Sequence, residues 1–186
     1  MEITRTLCVA RRDEWRAWLT AHHATEPEVW LVYPRKATGK PRIAYNDAVE
    51  EALCFGWIDS TVKTLDAGHT AQRFSPRRPG SGYSQPNRER MRRLMAQGRV
   101  ADHVLAKLAD VPLDDFAIPP EIQAALQANP AAWENLQRWS DSYLRIRVAF
   151  VHDARDRPEE FEKRLRNLIR KSEQGKQFGL GIESYY

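Results

Sequence analysis

The chain has 186 residues, 42% of them hydrophobic and 29% charged, and carries a formal net charge of +4. This composition is typical of a globular protein and excludes an intrinsically disordered chain. No stretch approaches the ~20 apolar residues of a membrane-spanning helix, and we expect no secretory signal and no membrane insertion. Cys8 and Cys54 lie far apart and form no C-x-x-C pair, so we expect free thiols and a cytoplasmic protein.

The first third of the chain predicts alternating helices and strands. Apolar periodicity predicts a helix from Asp13 to His22, a buried strand over 29–33, a helix after Tyr45 that ends at Gly56, and a hairpin of strands over 57–65 and 69–74. We expect Asp13 to cap the first helix. Glu50 and Glu51 are expected to complement the positive end of the second helix's dipole.

Period-two alternation in the first hairpin strand defines two faces. Trp57 and Asp59 fall on one face, and Val62 falls on the other. An aspartate beside a tryptophan fits either a polar site in a cleft or a buried ion pair with Arg73 that holds the hairpin together. We favour the ion pair.

Beyond the hairpin, prolines, glycines and serines dominate residues 75–87, which predicts a long loop. Helices are expected over 86–97 and 101–109, and after a linker the apolar pattern is helical throughout, with Ser140 as the cap of one helix. A mixed part followed by helices favours an α+β fold. We expect an α+β domain over 1–110, a helical extension packed on it over 111–176, and a loose tail over 177–186.

Two stretches carry a family resemblance. The first is Y-N-D-A-V-E-E-A-L-C-F-G-W-I-D, from Tyr45 to Asp59. The second is Q-R-F-S-P-R-R, from Gln72 to Arg78, followed by S-G-Y-S-Q-P-N, which ends at Asn87. Together they resemble the YdeI/OmpD-associated (bacteriocin-protection) family, closely over residues 13 to 100 and more loosely over the helical end.

The resemblance implies a function in bacterial stress tolerance or in protection against bacteriocins, and it implies no reaction. This sequence departs from the family at Tyr83, where the family usually has tryptophan, and at Gln85 and Pro86, where it usually has Lys-Val. These departures fall in the long loop rather than in the expected core.

The same loop is the strongest candidate for binding. Between Lys63 and Arg99 the chain has nine Arg or Lys and two Asp or Glu, a local charge of +7. Arginine forks bind phosphate or carboxylate, aromatic rings stack on bases, and a helix N-terminus favours anions. The candidate ligand-binding residues are Trp57, Asp59, Arg73, Phe74, Arg77, Arg78, Tyr83, Ser84 and Asn87. The arginines after position 87 also fit the solvated face of a helix.

Patterns for other chemistry are absent from the sequence. The histidines and carboxylates show no metal-ligand spacing, no nucleotide-binding glycine motif occurs, and Cys54 fits a buried core thiol better than a nucleophile. We therefore expect no metal, no cofactor and no catalytic residue.

Three functions remain open. The first is a non-catalytic, stress-associated protein that binds an anionic ligand or nucleic acid through the basic loop. The second is an enzyme for a small anionic substrate, with Asp59 as acid or base and Arg73 or Arg77 as anchor. The third is an interaction module whose C-terminal helices offer an apolar face to a protein partner.

Overall fold

The structure is a computed structural model that describes residues 2–108, 113 and 115–179. Within the described residues the chain divides into two compact units. The first takes 2–82 and 90–108, and the second takes 83–89, 113 and 115–179. A sheet with helices comes first along the chain and helices follow, so the predicted α+β class is confirmed.

The first unit is built on a four-stranded sheet. Its strands are β1 (Thr6–Leu7), β2 (Val29–Pro34), β3 (Trp57–Thr64) and β4 (His69–Pro76), in the order β1-β2-β4-β3. The short β1 runs parallel to β2, and the other pairs are antiparallel. The apolar run of β2 is buried because this strand lies inside the sheet.

A β-bulge interrupts the pairing of β3 with β4. Asp59 pairs with Phe74, and Val62 pairs with Gln72. Strand β3 therefore contains one residue more than β4 between these two pairs. Directly paired residues share a face, and a one-residue slip exchanges the faces. Val62 therefore lies on the same face as Asp59, and the predicted alternation is wrong beyond the bulge.

Helices flank this sheet in the sequence. They are α1 (Arg12–His22), a short 3-10 helix (Lys36–Thr38), α2 (Tyr45–Cys54), α3 (Gln85–Ala96) and α4 (Asp102–Leu108). The boundary between the two units falls within α3. Gly56 follows α2 with φ of 73°, the left-handed conformation predicted for the residue that ends this helix.

The start of α1 differs from the prediction. The residue before the helix is Arg11, and Asp13 lies inside the first turn. The Glu14 carboxylate reaches back and accepts hydrogen bonds from the N–H groups of Ala10 at 2.9 Å and Arg11 at 3.2 Å. Glu14 thus satisfies backbone donors at the helix start, as the glutamate of a capping box does, and the assignment of Asp13 as the cap is wrong.

Aromatic side chains fill the core of the first unit. Trp15 is fully buried, and its indole N–H donates to the Ala48 carbonyl at 3.0 Å. Its ring meets Phe74 edge-on, with centroids 5.5 Å apart. Trp57 packs edge-on against Trp18 at 5.8 Å. Because each buried indole must place its N–H on an acceptor, these contacts set the position of α1 against α2 and the sheet.

The described part of the second unit contains four further helices. They are α5 (Pro120–Gln127), α6 (Pro130–Arg138), α7 (Asp141–His152) and α8 (Pro158–Glu173). Their apolar stripes meet in one core, made of Ile122, Leu126, Leu136, Tyr143, Val148, Val151 and Leu168. The Ser140 hydroxyl accepts from the Tyr143 N–H at 3.2 Å, which confirms Ser140 as the cap of α7.

The predicted tail lies outside the described residues from position 180 onward. Phe178, near the start of the predicted tail, is hydrogen-bonded to Tyr143. The Tyr143 hydroxyl accepts from the Phe178 N–H at 2.9 Å and donates to the Phe178 carbonyl at 3.2 Å. In the described part of the chain, no helix combines the length and the apolar character that crossing a bilayer demands.

Candidate functional site

Asp59 lies at the centre of a hydrogen-bonded group in the first unit. Its Oδ2 accepts from the Tyr45 hydroxyl at 3.0 Å and from the Gln72 side-chain amide at 2.6 Å. Gln72 is buried on β4, and Tyr45 opens α2. The carboxylate therefore holds two polar side chains, from two different elements, in fixed orientations.

Arg73 does not belong to this group. Its Nε donates to the Glu28 carboxylate at 2.5 Å, and its Nη1 lies 3.4 Å from the Ser60 hydroxyl. Arg73 follows Gln72 on β4 and so points to the opposite face of the sheet. The predicted ion pair between Asp59 and Arg73 is wrong, because the two side chains lie on opposite faces.

Two further candidates are core residues. Phe74 is fully buried, and Trp57 is 1% exposed. The Trp57 indole N–H donates to the His23 carbonyl at 3.1 Å. The structure therefore does not gather Trp57, Asp59 and Arg73 in one cleft, which was the arrangement expected of an enzyme site at this strand.

The loop after β4 is closed by Arg77. Its Nη2 lies 2.7 Å from the Gly82 carbonyl and 3.2 Å from the Ser81 carbonyl, and its backbone N–H donates to the Gly56 carbonyl at 2.9 Å. Arg78 is exposed, and its carbonyl accepts from the Ser81 hydroxyl at 2.8 Å. Arg77 thus shapes the loop, while the Arg78 side chain faces solvent.

The remaining loop candidates belong to the second unit. The Ser84 carbonyl accepts the Arg88 N–H at 2.9 Å, the first bond of α3, which puts Ser84 in the cap position predicted for it. The Arg88 Nε donates to the Tyr83 carbonyl at 3.3 Å. Asn87 lies half-buried in the first turn of α3.

The high local charge of this stretch is partly neutralised. Acidic partners come from elsewhere in the chain: Arg73 pairs with Glu28, Arg88 with Asp115, Arg93 with Glu50 and Arg99 with Glu51. Arg90 is 6% exposed and donates to the Asn46 side chain at 2.8 Å. A count of charges along the sequence missed these pairs because their acidic members lie outside the counted stretch.

A buried cluster of charges, which we call the Glu50–Glu51 cluster, is the largest feature that the sequence reasoning missed. Glu50 is 3% exposed and Glu51 is fully buried, whereas the sequence analysis assigned them only the role of complementing the dipole of α2. The members of the cluster are Arg12, Arg16, Asp47, Glu50, Glu51, Arg93 and Arg99. Arginines from α1, α3 and the segment after α3 therefore converge on three acidic residues of α2.

The distances in the Glu50–Glu51 cluster describe paired charges. Arg12 bridges both glutamates, with Nε 2.5 Å from Glu51 and Nη2 2.9 Å from Glu50. Arg16 Nη1 lies 2.7 Å from Glu51, and its Nη2 donates to the Arg99 carbonyl at 2.9 Å. Buried carboxylates held this way stay paired rather than reactive, so the cluster locks elements together. The sequence signal was a glutamate pair flanked on both sides by apolar residues.

A cavity of about 200 Å³ lies beside the Asp59 group. The residues that line it include Tyr33, Arg42, Ile43, Tyr45, Val62 and Gln72. Burial, with the nearby charge of Asp59, raises the pKa of Tyr45 to about 12 and raises that of Tyr33 further. Both phenols are therefore neutral hydrogen-bond donors at neutral pH. The exchange of faces at the bulge is what brings Val62 to this cavity.

Other reactive groups fit structural roles. Cys54 is fully buried, and burial together with the charge of Glu51 raises the pKa of its thiol to about 11, so it is protonated at neutral pH. Both cysteines are free. Among the described residues no group of three His, Cys, Asp or Glu side chains is arranged to hold a metal ion.

The apolar side chains of the second unit are mostly packed in its own core. Phe150 is its one exposed large hydrophobic residue within the described ranges, at 40% exposure. The Arg164 guanidinium lies over the Phe150 ring at 4.0 Å. The geometry therefore gives little support to a broad apolar docking face on these helices.

Two family models match the chain. One is described as a domain of unknown function (DUF8412) and matches residues 7–107. The other is described as bacteriocin-protection, YdeI or OmpD-associated, and matches residues 115–175. No curated protein and no solved structure matches the chain at a significant level.

The matches confirm the predicted family but correct where it lies. The resemblance was assigned mainly to residues 13 to 100, whereas the bacteriocin-protection model covers the helices of the second unit. The DUF8412 model covers more than half of the chain and contains the two motifs up to Asn87. The chain therefore belongs to the DUF8412 family, and residues 115–175 match the model described as bacteriocin-protection, YdeI or OmpD-associated.

Proposed function

We propose that this protein serves bacteriocin protection by binding an anionic partner, without catalysing a reaction, and that Arg78 is the main contact. The match of residues 115–175 to the bacteriocin-protection family supports the biological setting. The proposal includes a cytoplasmic location, which the free thiols of Cys8 and Cys54 support.

The main support for the proposal is that two adjacent arginines have different roles. Arg77 holds the loop through the carbonyls of Ser81 and Gly82, while Arg78 is exposed and has no acidic partner among the described residues. A cation on a loop that is already shaped loses less conformational entropy on binding than one on a mobile segment. An arginine fork also suits carboxylate and phosphate equally.

The test compares Arg78→Gln with Arg35→Gln, a matched loss of one exposed arginine in the same unit. Binding of a fluorescent poly-glutamate peptide and of a short DNA duplex is measured by anisotropy at 50 and 200 mM salt. We expect Arg78→Gln to weaken binding about threefold to tenfold and to reduce its salt dependence, because one counterion-releasing contact is lost. Arg35→Gln should leave both unchanged.

Cells provide the second readout. Bacteria that depend on this protein for bacteriocin survival should lose protection with Arg78→Gln and keep it with Arg35→Gln. Equal binding and equal survival for both variants would rule out the loop as the contact. Loss of protection with unchanged binding would keep the biological setting and overturn the anionic partner.

A further inference from the structure

The cavity beside Asp59 has the properties of a small binding site. At about 200 Å³ it is somewhat larger than the cavity of about 150 Å³ that admits benzene in another protein, so it accommodates one ring with a substituent. Ile43 and Val62 supply apolar contact, and Tyr33 and Tyr45 supply aromatic faces. Pockets lined by apolar and aromatic groups, with few polar ones, are typical of small-molecule sites.

Tyr33 provides independent evidence for a ligand. Its side chain lines the cavity and is 8% exposed, yet its hydroxyl has no hydrogen-bond partner among the described residues. A buried polar group without a hydrogen-bond partner costs free energy, so native proteins rarely keep one unless a bound molecule forms that hydrogen bond. The other phenol of the cavity, Tyr45, is already satisfied by Asp59 at 3.0 Å.

The charge of the cavity selects the kind of ligand. Arg42 carries the only formal charge among the residues described as lining it. One guanidinium N–H donates to the Pro34 carbonyl at 3.2 Å, and Arg42 has no acidic partner among the described residues. A guanidinium has five N–H donors, so a fork remains for a carboxylate.

Asp59 affects this cavity indirectly, through hydrogen bonds to two of its lining residues. It is not one of the lining residues, and its Oδ2 is engaged by Tyr45 and Gln72. It therefore keeps the Tyr45 ring and the Gln72 amide in place before a ligand arrives. Such preorganisation lowers the entropic cost of binding.

We propose that this cavity binds a monocyclic aromatic carboxylate with a polar ring substituent. The ring packs between Tyr45, Ile43 and Val62, the carboxylate pairs with Arg42, and the ring substituent accepts a hydrogen bond from the Tyr33 hydroxyl. This site is separate from the loop contact of Arg78, so each proposal stands or falls without the other.

The experiment uses 4-hydroxybenzoate as probe and benzoate as the matched compound without a ring substituent, with isothermal titration calorimetry on the full chain. The wild-type protein should bind both, and the hydroxylated probe more tightly. Arg42→Gln should weaken both at least tenfold, because a charge-assisted fork is lost. Arg35→Gln, the exposed arginine outside the cavity, should bind both like the wild type.

Tyr33→Phe separates the hydroxyl from the ring. We expect it to weaken 4-hydroxybenzoate about fivefold and to leave benzoate unchanged, since only one neutral hydrogen bond is removed. The thermal midpoint of the unliganded variant should not fall, because the hydroxyl has no partner to lose.

Three results would overturn the proposal: no saturable binding of either compound to the wild type, equal weakening by Arg35→Gln and Arg42→Gln, or equal weakening of both compounds by Tyr33→Phe.

Discussion

Two buried glutamates, one in each unit, are neutralised in different ways. Glu51 in the first unit is fully buried and pairs with Arg12, Arg16 and Arg99, which lie far from it in the sequence. Glu89 in the second unit is 2% exposed. Its described partners include a bidentate arginine and neutral donors: Arg145 at 2.8 and 2.9 Å, the Ser142 hydroxyl at 2.8 Å, and the Gln85 amide at 2.6 Å.

The comparison shows two solutions to one problem. A buried carboxylate needs both charge compensation and a donor for each lone pair. In the first unit several arginines share neighbouring acidic residues, so loss of one acidic residue leaves several arginines without that partner. The contacts described for Glu89 combine an arginine with neutral donors, so part of its compensation comes from groups that carry no charge. The two sites should therefore differ in their sensitivity to mutation and in their dependence on pH.

The largest effect is expected for Glu51→Ala. This change leaves Arg12, Arg16 and Arg99 without their shared carboxylate, and breaking a buried pair costs about 3–5 kcal/mol. Hydrogen exchange followed by mass spectrometry should show lost protection in peptides of the first unit. A loss below about 1 kcal/mol by chemical denaturation would mean that Glu50 takes over the arginines, and the cluster would then be no more sensitive than Glu89.

Glu89→Gln is expected to cost about 1.5–3 kcal/mol, the range for hydrogen bonds to a charged group. Burial by itself raises the pKa of Glu89, but the hydrogen bonds from Arg145, Ser142 and Gln85 outweigh it and hold the pKa below the ordinary value of 4.5. Protons therefore bind the unfolded chain first as the pH falls.

The sign of the pH dependence follows from this lowered pKa. The contribution of Glu89 is complete above pH 4.5 and is lost as the pH falls below 4.5 through the folded-state pKa. Denaturation curves from pH 7 to pH 3 should show a smaller acid-induced loss for Glu89→Gln than for the wild type. An identical pH profile for both proteins would exclude Glu89 as a source of acid sensitivity.

The smallest effect is expected for Glu134→Ala, which sets the baseline for both sites. Glu134 pairs with Arg138 one helical turn away at 2.6 Å, and both side chains are about two-thirds exposed. Exposed i,i+4 pairs contribute about 0.3–0.5 kcal/mol. The denaturation midpoint should move little, and raised salt should remove even this difference. A loss comparable to Glu89→Gln would mean that burial does not distinguish the two classes of pair.

Local patterns predicted most of the helices and strands. The hairpin of β3 and β4, the helix ending before Gly56 and the cap at Ser140 depend on contacts between residues close in the sequence. Strand β1 was missed because two residues carry no periodicity, and its structure depends on pairing with β2. The bulge was missed for a similar reason, since alternation within one strand contains no information on its partner's register.

The candidate site was harder to predict than the fold. Arginine is equally compatible with a solvated surface, a loop brace and a buried ion pair, and the sequence does not distinguish the three. Arg77 closes its own loop, Arg93 pairs with Glu50, and Arg78 remains exposed, although all three fall in one basic stretch. The cavity at Tyr33 and Arg42 was not predicted because its lining comes from four separate segments.

By itself, the sequence determined the class of fold and the positions of most elements, because helix periodicity, strand alternation and capping act over a few residues. Only the tertiary structure decided which charges are buried, which face Val62 takes and where Arg73 points. Those outcomes depend on residues tens of positions apart that meet only in the folded chain, where burial makes each charge find a partner.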